Sequence, residues 1–403
     1  MTTIYEQLGI RTIVNAKGPS TRVSGGIMAP EVARAMGEAS QACVDMAELQ
    51  ARASEIIAEA TGAEAGLVTA GAAAGLLLGT AACMTGLDPG RMNRLPDTRG
   101  MPNRVVMVRS QRNFYDHAVR TTGARIVEVG LPDRVAGAGV RDAEPWEIAD
   151  AIDARTALVH WVAGPEARPP LPEVVAVAHA AGVPVLVDAA AQLPPASNLR
   201  RFVELGADLV AFSGGKAIGG PQASGILAGR RDLIMAAALQ QLDLDVAFEQ
   251  WRPPPTFIDT RRLKGLPHHG IGRPCKVGKE EVAGLLMALR RFVAADADSR
   301  RARWRNTLRE IQDGLPALRG ATVTLLDGGE IPLLALDLEP DGGAGVMALI
   351  LALEAGEPSI RPDPGAAARG RVLFNPVSLR PEDPPRIAGA LGRLLGERGL
   401  LAP

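Results

Sequence analysis

Seven short apolar runs, separated by Ala-rich stretches of helical length, constrain this chain more than any other feature. They are AGLVTA (65–70), RVVMVR (104–109), ARIVEVG (124–130), TALVHWV (156–162), VPVLVD (183–188), ADLVAFS (207–213) and ASGILAG (223–229). Between most of them lie segments such as AAAGLLLGTAACMTG, EPWEIADAIDA and PEVVAVAHAAG. Strands that are apolar along their whole length and alternate with helices imply a mostly parallel sheet covered on both faces. The last two runs stand too close for a helical crossover, so an antiparallel or loop-connected pair is expected there.

The alternation stops at WRPPPTF (251–257). A chain of 403 residues exceeds the size at which one core keeps growing. The expected division is an N-terminal arm (1–24), a large α/β domain (25–250), a linker and active-site loop (251–275) and a small α+β domain (276–403). In the last, residues 276–315 read as one long amphipathic helical stretch. Strands ATVTLLD and PLLALDLE, a helix over 344–355, a strand RVLFNP and a helix over 383–397 follow.

Charge argues against a polyanionic partner. With 44 basic and 45 acidic residues the net charge is −1, without the basic excess that phosphate neutralisation requires. SRRARWRNTLR (299–309) is the nearest approach to a basic block and reads as the solvated face of a helix. Three cysteines, far apart, make neither a disulfide framework nor a zinc spacing, and five histidines fall in no metal-binding pattern. No metal is expected. Every long apolar run is broken by a charge, Gly or Pro, and the first twenty residues lack a signal-peptide core, so no membrane association and a cytoplasmic setting are expected.

Chemistry gathers at strand ends, where open α/β sheets bind ligands. TAGAAAG (69–75) follows the first run and opens a helix, leaving backbone N–H groups of Gly71, Ala72 and Ala73 for a phosphate; by itself it serves equally as a close-packed helix start. Asp188 closes VPVLVD, where a carboxylate either holds a protonated pyridine nitrogen or caps the next turn. The segment SGGKAIGGP places one lysine, Lys216, among residues small enough for a bulky ligand to come close. A desolvated lysine amine forms Schiff bases with carbonyls. Phosphate cradle, strand-end carboxylate and loop lysine, in that order, describe a pyridoxal 5′-phosphate site.

These stretches carry a resemblance. DLVAFSGGKAIGGPQASGILAGR, AGLVTAGAAAGLLLGTAACMTG, QRNFYDHAVRTTGARIVEVG, IVNAKGPSTRVSGGIMAPEVARAM and GIGRPCKVGKEEVAGLLMAL resemble the fold-type-I pyridoxal-phosphate enzymes. Within these, the likeness is to the group related to selenocysteine synthase (L-seryl-tRNA(Sec) selenium transferase) and D-glucosaminate-6-phosphate ammonia-lyase. The likeness spans most of the chain to about residue 290 and is loose beyond. It implies an α/β, transferase-like fold, a mostly parallel sheet sandwiched by helices, with a smaller α+β C-terminal domain.

The resemblance also implies roles. Lys216 carries the cofactor as a Schiff base and then moves the proton at Cα; Asp188 keeps the ring nitrogen protonated; His117 stacks on the ring. Gly71, Ala72, Ala73 and Ser213 bind the phosphate, and Gln192 reaches the ring hydroxyl. Arg273 and Lys276 match positions suited to anion recognition, while Arg112, Arg22 and Arg361 are further candidates for a substrate carboxylate. His268 and His269 are expected bystanders. The implied reaction is that of a lyase: abstraction of the Cα proton from a small polar amino acid, then loss of a β-substituent. Racemisation, aldol cleavage or β-replacement would use the same apparatus. Selenium transfer would need a tRNA-binding surface, and a non-catalytic binding role would not need the lysine set. A homodimer or higher homo-oligomer with the active site at the interface is expected.

Overall fold

The computed structural model describes residues 3–131, 142–338 and 342–402. The chain forms two compact units, one of Met28–Val293 and one joining Met1–Ile27 to Ala294–Pro403.

In the larger unit the strands are β2 (Ala65–Thr69), β3 (Arg104–Val108), β4 (Arg125–Val129), β5 (Thr156–Val162), β6 (Val185–Asp188), β7 (Leu209–Ser213) and β8 (Gly225–Gly229); β1 (Ile13–Ala16) belongs to the smaller unit. They make a seven-stranded sheet in the order β2-β8-β7-β6-β5-β3-β4. The central pairs β4–β3, β3–β5, β5–β6 and β6–β7 are parallel. Strand β8 runs antiparallel to both β7 and β2. The mostly parallel sheet read from the apolar runs is therefore present, and the close pair 207–213 and 223–229 is antiparallel as expected.

Apart from the edge strand β4, most of whose residues are exposed or half-buried, the strands are buried on both faces, which is why they are apolar along most of their length. Val106, Val159, Val187 and Phe212 pack on one side with Val174, Phe202 and Leu285. Leu158, Leu186, Leu209 and Leu227 pack on the other with Leu76, Leu78 and Ile234. The helix Ala72–Thr85 on this second face is rich in Ala and Leu and is buried on nearly every side. At Gly79 it presses so close that a Cβ would stand 3.2 Å from Leu186 and Leu209 methyls.

Strand β2 lies at the sheet edge, and its unpaired backbone groups are covered by side chains. Gln50, fully buried in the helix Met46–Thr61, donates to the Val68 carbonyl (2.9 Å) and accepts from the Val68 N–H (3.0 Å). Ser54 accepts from the Gly66 N–H at 2.9 Å.

The smaller unit holds an antiparallel sheet, β12 (Arg371–Phe374), β10 (Leu333–Leu338) and β9 (Ala321–Leu326). Beside it β1 pairs parallel with β11 (Ser359–Pro362). The arm expected over 1–24 thus contains a strand. The stretch 276–315 is two helices, Lys279–Ala294 and Ala297–Asp313, broken where Asp296 accepts from the Ser299 N–H at 2.7 Å. Val282, Leu285, Leu289 and Phe292 of the first join the core under the large sheet. The boundary between units accordingly falls at 293/294 and not at 276.

Candidate active site

Strands β2, β6 and β7 run in the same direction, so their carboxyl ends open on one edge of the sheet, within about 15 Å of one another. At the end of β2, Gly71 adopts φ 106° and ψ 163° at the start of the helix Ala72–Thr85, and no side chain caps that helix. The Thr69 hydroxyl donates to the Gly71 carbonyl (2.9 Å) and holds the turn. Among the described residues nothing lies within 4 Å of where a Gly71 Cβ would be. Across the turn, a Cβ on Gly225 would stand 2.5 Å from the Gly71 carbonyl carbon. The result is an open helix N-terminus with uncapped N–H groups, which suits a phosphate.

The glycines around Lys216 also have a physical reason. A Cβ on Gly214 would lie 2.4 Å from Ser224 Oγ, and one on Gly215 would lie 2.7 Å from the Gln222 Cα. Backbone bonds from Gly214 N–H to the Ser224 carbonyl and from Gly220 N–H to the Gly214 carbonyl, both 2.9 Å, fold the loop back on itself. Only small residues allow that closure, and it leaves the lysine partly buried. Burial pushes the Lys216 amine below the ordinary lysine range, and the nearby Asp188 carboxylate pulls it partly back.

Asp188 ends β6, is 7% exposed, and accepts the Ala190 N–H at 3.0 Å. Among the described residues it forms no ion pair. A buried carboxylate in that position is costly unless a cation is brought to it. A protonated pyridine nitrogen is such a cation, so the chain's donor set fits pyridoxal 5′-phosphate: cradle at Gly71–Ala73, carboxylate at Asp188, amine at Lys216. Ser213 closes β7 opposite Gly225, beside the cradle.

The other sequence candidates lie as follows. His117 is exposed on the short helix Asp116–Thr121, with Arg120 donating to its Nδ1 at 3.1 Å. Gln192 donates its amide to the Ala163 carbonyl at 2.8 Å, which leaves its oxygen for a ligand. Arg112 is spent within the protein, paired with Asp116 and Glu128. Arg273 donates to the Gln241 carbonyl (2.7 Å) and pairs with Asp243 (2.9 Å). With Lys276 it lines a cleft of about 310 Å³ that also includes Asp45, Gln50 and Trp251. Arg22 and Arg361 belong to the smaller unit and converge on Glu354, at 3.4 and 2.6 Å. His268 and His269 line a separate cleft. Among the described residues no group of three or more His, Cys, Asp or Glu is placed to hold a metal.

Sequence reading missed Thr69, Gly225, Asp116 and His160. The last, in the middle of TALVHWV, had a signal: a histidine inside an otherwise apolar buried strand.

This fold and site define a fold-type-I pyridoxal-phosphate enzyme, and comparison with known proteins agrees. The family model for L-seryl-tRNA selenium transferase (SelA) matches residues 112–248. A 5′-C-glycyluridine monooxygenase-decarboxylase of a Streptomyces species is 34% identical over 98% of this chain and 92% of its own. The D-glucosaminate-6-phosphate ammonia lyase of Salmonella typhimurium is 33% identical over 72% of this chain and 70% of its own. The solved structure of a D-glucosaminate-6-phosphate ammonia-lyase superposes with a TM-score of 0.80 at 28% identity, covering 99% of this chain and all of that one. A serine palmitoyltransferase with bound cofactor shares the fold at 15% identity and a TM-score of 0.53. The chain belongs to this family of pyridoxal 5′-phosphate-dependent enzymes.

Proposed function

We propose that the protein is a pyridoxal 5′-phosphate-dependent lyase that removes the Cα proton of a small polar amino acid and expels a substituent from Cβ. The observation that carries this reading is Lys216, an amine made less basic by burial and set against Asp188 at one sheet edge. An amine of lowered basicity is neutral more often at working pH, and so both attacks a carbonyl and accepts a proton. When bound, the cofactor supplies an electron-withdrawing ring that stabilises negative charge at Cα. The chain supplies the rest. Gly71–Ala73 and Ser213 hold the phosphate, Asp188 holds the ring nitrogen, and His117 covers the ring. Lys216 takes the proton from Cα. Arg273 and Lys276 anchor the anionic end of the substrate.

The likeness to D-glucosaminate-6-phosphate ammonia lyase supports ammonia as a product and a polar, anionic substrate. The likeness to a monooxygenase-decarboxylase supports a second outcome, loss of the carboxyl group with consumption of oxygen. Cytoplasmic residence, supported by three unpaired cysteines, and a homodimer are part of the same reading. Phe114, 96% exposed, and Tyr115 stand just before His117, where a second copy would cover them.

The test is direct. Borohydride reduction followed by peptide mapping is expected to find the cofactor on Lys216, and Lys216→Ala to abolish the trapped adduct. An adduct on another lysine would overturn the assignment. A panel of D- and L-amino acids, sugar amino acids included, is then screened for ammonia plus keto acid against carbon dioxide plus oxygen uptake. Ammonia with keto acid supports the lyase, and carbon dioxide with oxygen consumption replaces it.

A further inference from the structure

Behind Asp188 lies a buried histidine that the roles above leave unused. His160 sits within β5 and is 2% exposed. Strand β5 pairs with β6 so that His160 stands opposite Leu186 and Val162 opposite Asp188. Side chains alternate along a strand, so His160, Leu186 and Asp188 share one face, the one covered by the helix Ala72–Thr85. His160 and Asp188 are diagonal neighbours, about 7–8 Å apart at the backbone and within reach of long side chains.

The ring is tethered. His160 Nδ1 lies 3.1 Å from the Leu186 carbonyl. A carbonyl only accepts, so Nδ1 carries the proton and Nε2 is left to answer the surroundings. Those surroundings are anionic. Asp188 faces it from β6, and Asp116, 4% exposed, from the helix Asp116–Thr121. Asp116 Oδ1 is buried and, among the described residues, without a partner, while its other oxygen pairs with Arg112, itself shared with Glu128. Lys216 acts on Asp188 from the loop after β7. From β3 the neighbour is Met107. The covering helix brings Cys83, whose charged neighbours, Asp208, Arg230 and Asp232, lie at the far end of the sheet. Burial pushes the imidazole below its ordinary range, against the upward pull of Asp188, the Leu186 hydrogen bond and Asp116.

We propose that His160 is a positioning residue for Asp188: neutral, it leaves that carboxylate to the cofactor's ring nitrogen, and protonated at Nε2 it draws the same carboxylate away. Cofactor binding and protonation of His160 then oppose each other, by the same factor in each direction. The inference rests on Asp188 being the ring-nitrogen partner, and the two can be separated.

The full-length protein is stripped of cofactor, and its dissociation constant for pyridoxal 5′-phosphate is measured from alkaline pH to below about pH 6, the ordinary histidine range. His160→Asn keeps an amide donor for the Leu186 carbonyl but has no titrating nitrogen. The expected result is that the wild type loses affinity on the acid side faster than His160→Asn. The ratio between them should grow by up to about tenfold for each pK unit by which cofactor shifts His160. In wild-type protein carrying isotope-labelled histidine, the His160 resonance should titrate at lower pH with cofactor than without; this measurement stands even if the variant fails to fold. Parallel affinity curves, or a resonance indifferent to cofactor, would overturn the role. Asp188→Asn tells the failures apart. If it weakens cofactor binding while His160→Asn changes nothing, only the histidine role is lost. If it leaves binding and cofactor spectrum unchanged, the ring-nitrogen reading falls, and this inference with it.

Discussion

Single atoms, some missing and one present, show how tightly the site is specified. At Gly225 the missing atom is a Cβ, which would stand 2.5–2.9 Å from Gly71 and Ala72 backbone atoms. Backbone cannot rotate aside as a side chain does, so Gly225→Ala should displace the phosphate turn. Overpacking of this kind costs about 1–3 kcal/mol. Urea unfolding should report that loss, together with at least about tenfold weaker cofactor binding for a shift of roughly 1.4 kcal/mol. Gly71→Ala meets no atom, yet its positive φ strains any other residue, so it should lose affinity through backbone strain of about 1–3 kcal/mol. The atom present is Lys216 Nζ. Its folded pKa is lowered, so the stability this group contributes is complete above the ordinary lysine range and is lost as pH falls through the depressed value. In cofactor-free protein, Lys216→Met should therefore melt above wild type at neutral pH. The gap should close as pH rises toward about 10, where the unfolded chain also loses its proton. A gap that does not change with pH would mean that the amine carries no burial penalty.

Elements are held in register by side chains that act as substitute backbone. Gln50 gives the edge strand β2 the donor and acceptor that a neighbouring strand would otherwise provide. Gln50→Leu preserves bulk but strands the Val68 N–H and carbonyl in a buried setting, each such group costing about 1–3 kcal/mol. Urea midpoints should fall by a comparable amount, and light scattering should detect association through the uncovered edge. Replacement without loss would mean that water satisfies Val68. The same elements explain what could be read in advance. Strands buried on both faces announce themselves as apolar runs, so β2, β3 and β5 to β8 and their mostly parallel arrangement were legible, as were the glycines and lysine between β7 and β8; the more exposed β4 was legible only as the β-branched run RIVEV. Strand β1 (IVNA) and β11 (SIRP) were not. Each has four residues, with Asn or Arg inside, and their partners are 346 positions apart in sequence (13 and 359). The break at Asp296 was hidden because a polar cap looks like any other polar position in an amphipathic stretch. Candidate arginines were legible only as cations. Whether an arginine is spent, as Arg112 is on Asp116 and Glu128, is decided by tertiary neighbours that sequence spacing does not reveal.

At the scale of the whole molecule the two chain ends fold together, while every residue assigned to the cofactor lies in the uninterrupted unit Met28–Val293. Charge is the other whole-molecule property, and it bears on which relatives this protein behaves like. The family model matching residues 112–248 is that of a selenium transferase. A protein that grips a tRNA backbone releases counterions from each phosphate it neutralises, and its binding weakens steeply with salt, with a log–log slope of about −0.7 to −0.9 per contact. Net charge here is −1. The most basic stretch, 299–309, is partly consumed within the protein: Arg301 and Arg305 both pair with Asp327, and Trp304 and Leu308 face the core. Filter binding with bulk tRNA over a range of salt concentrations should therefore give no saturable complex near physiological ionic strength. Whatever weak retention appears at low salt should have a shallow slope, of one or two contacts. The lyase reading and tRNA binding part company here. Tight retention with a slope of several contacts would mean that a basic surface is assembled in a way net charge does not reveal, and the substrate would have to be sought among aminoacylated nucleic acids instead of among small amino acids.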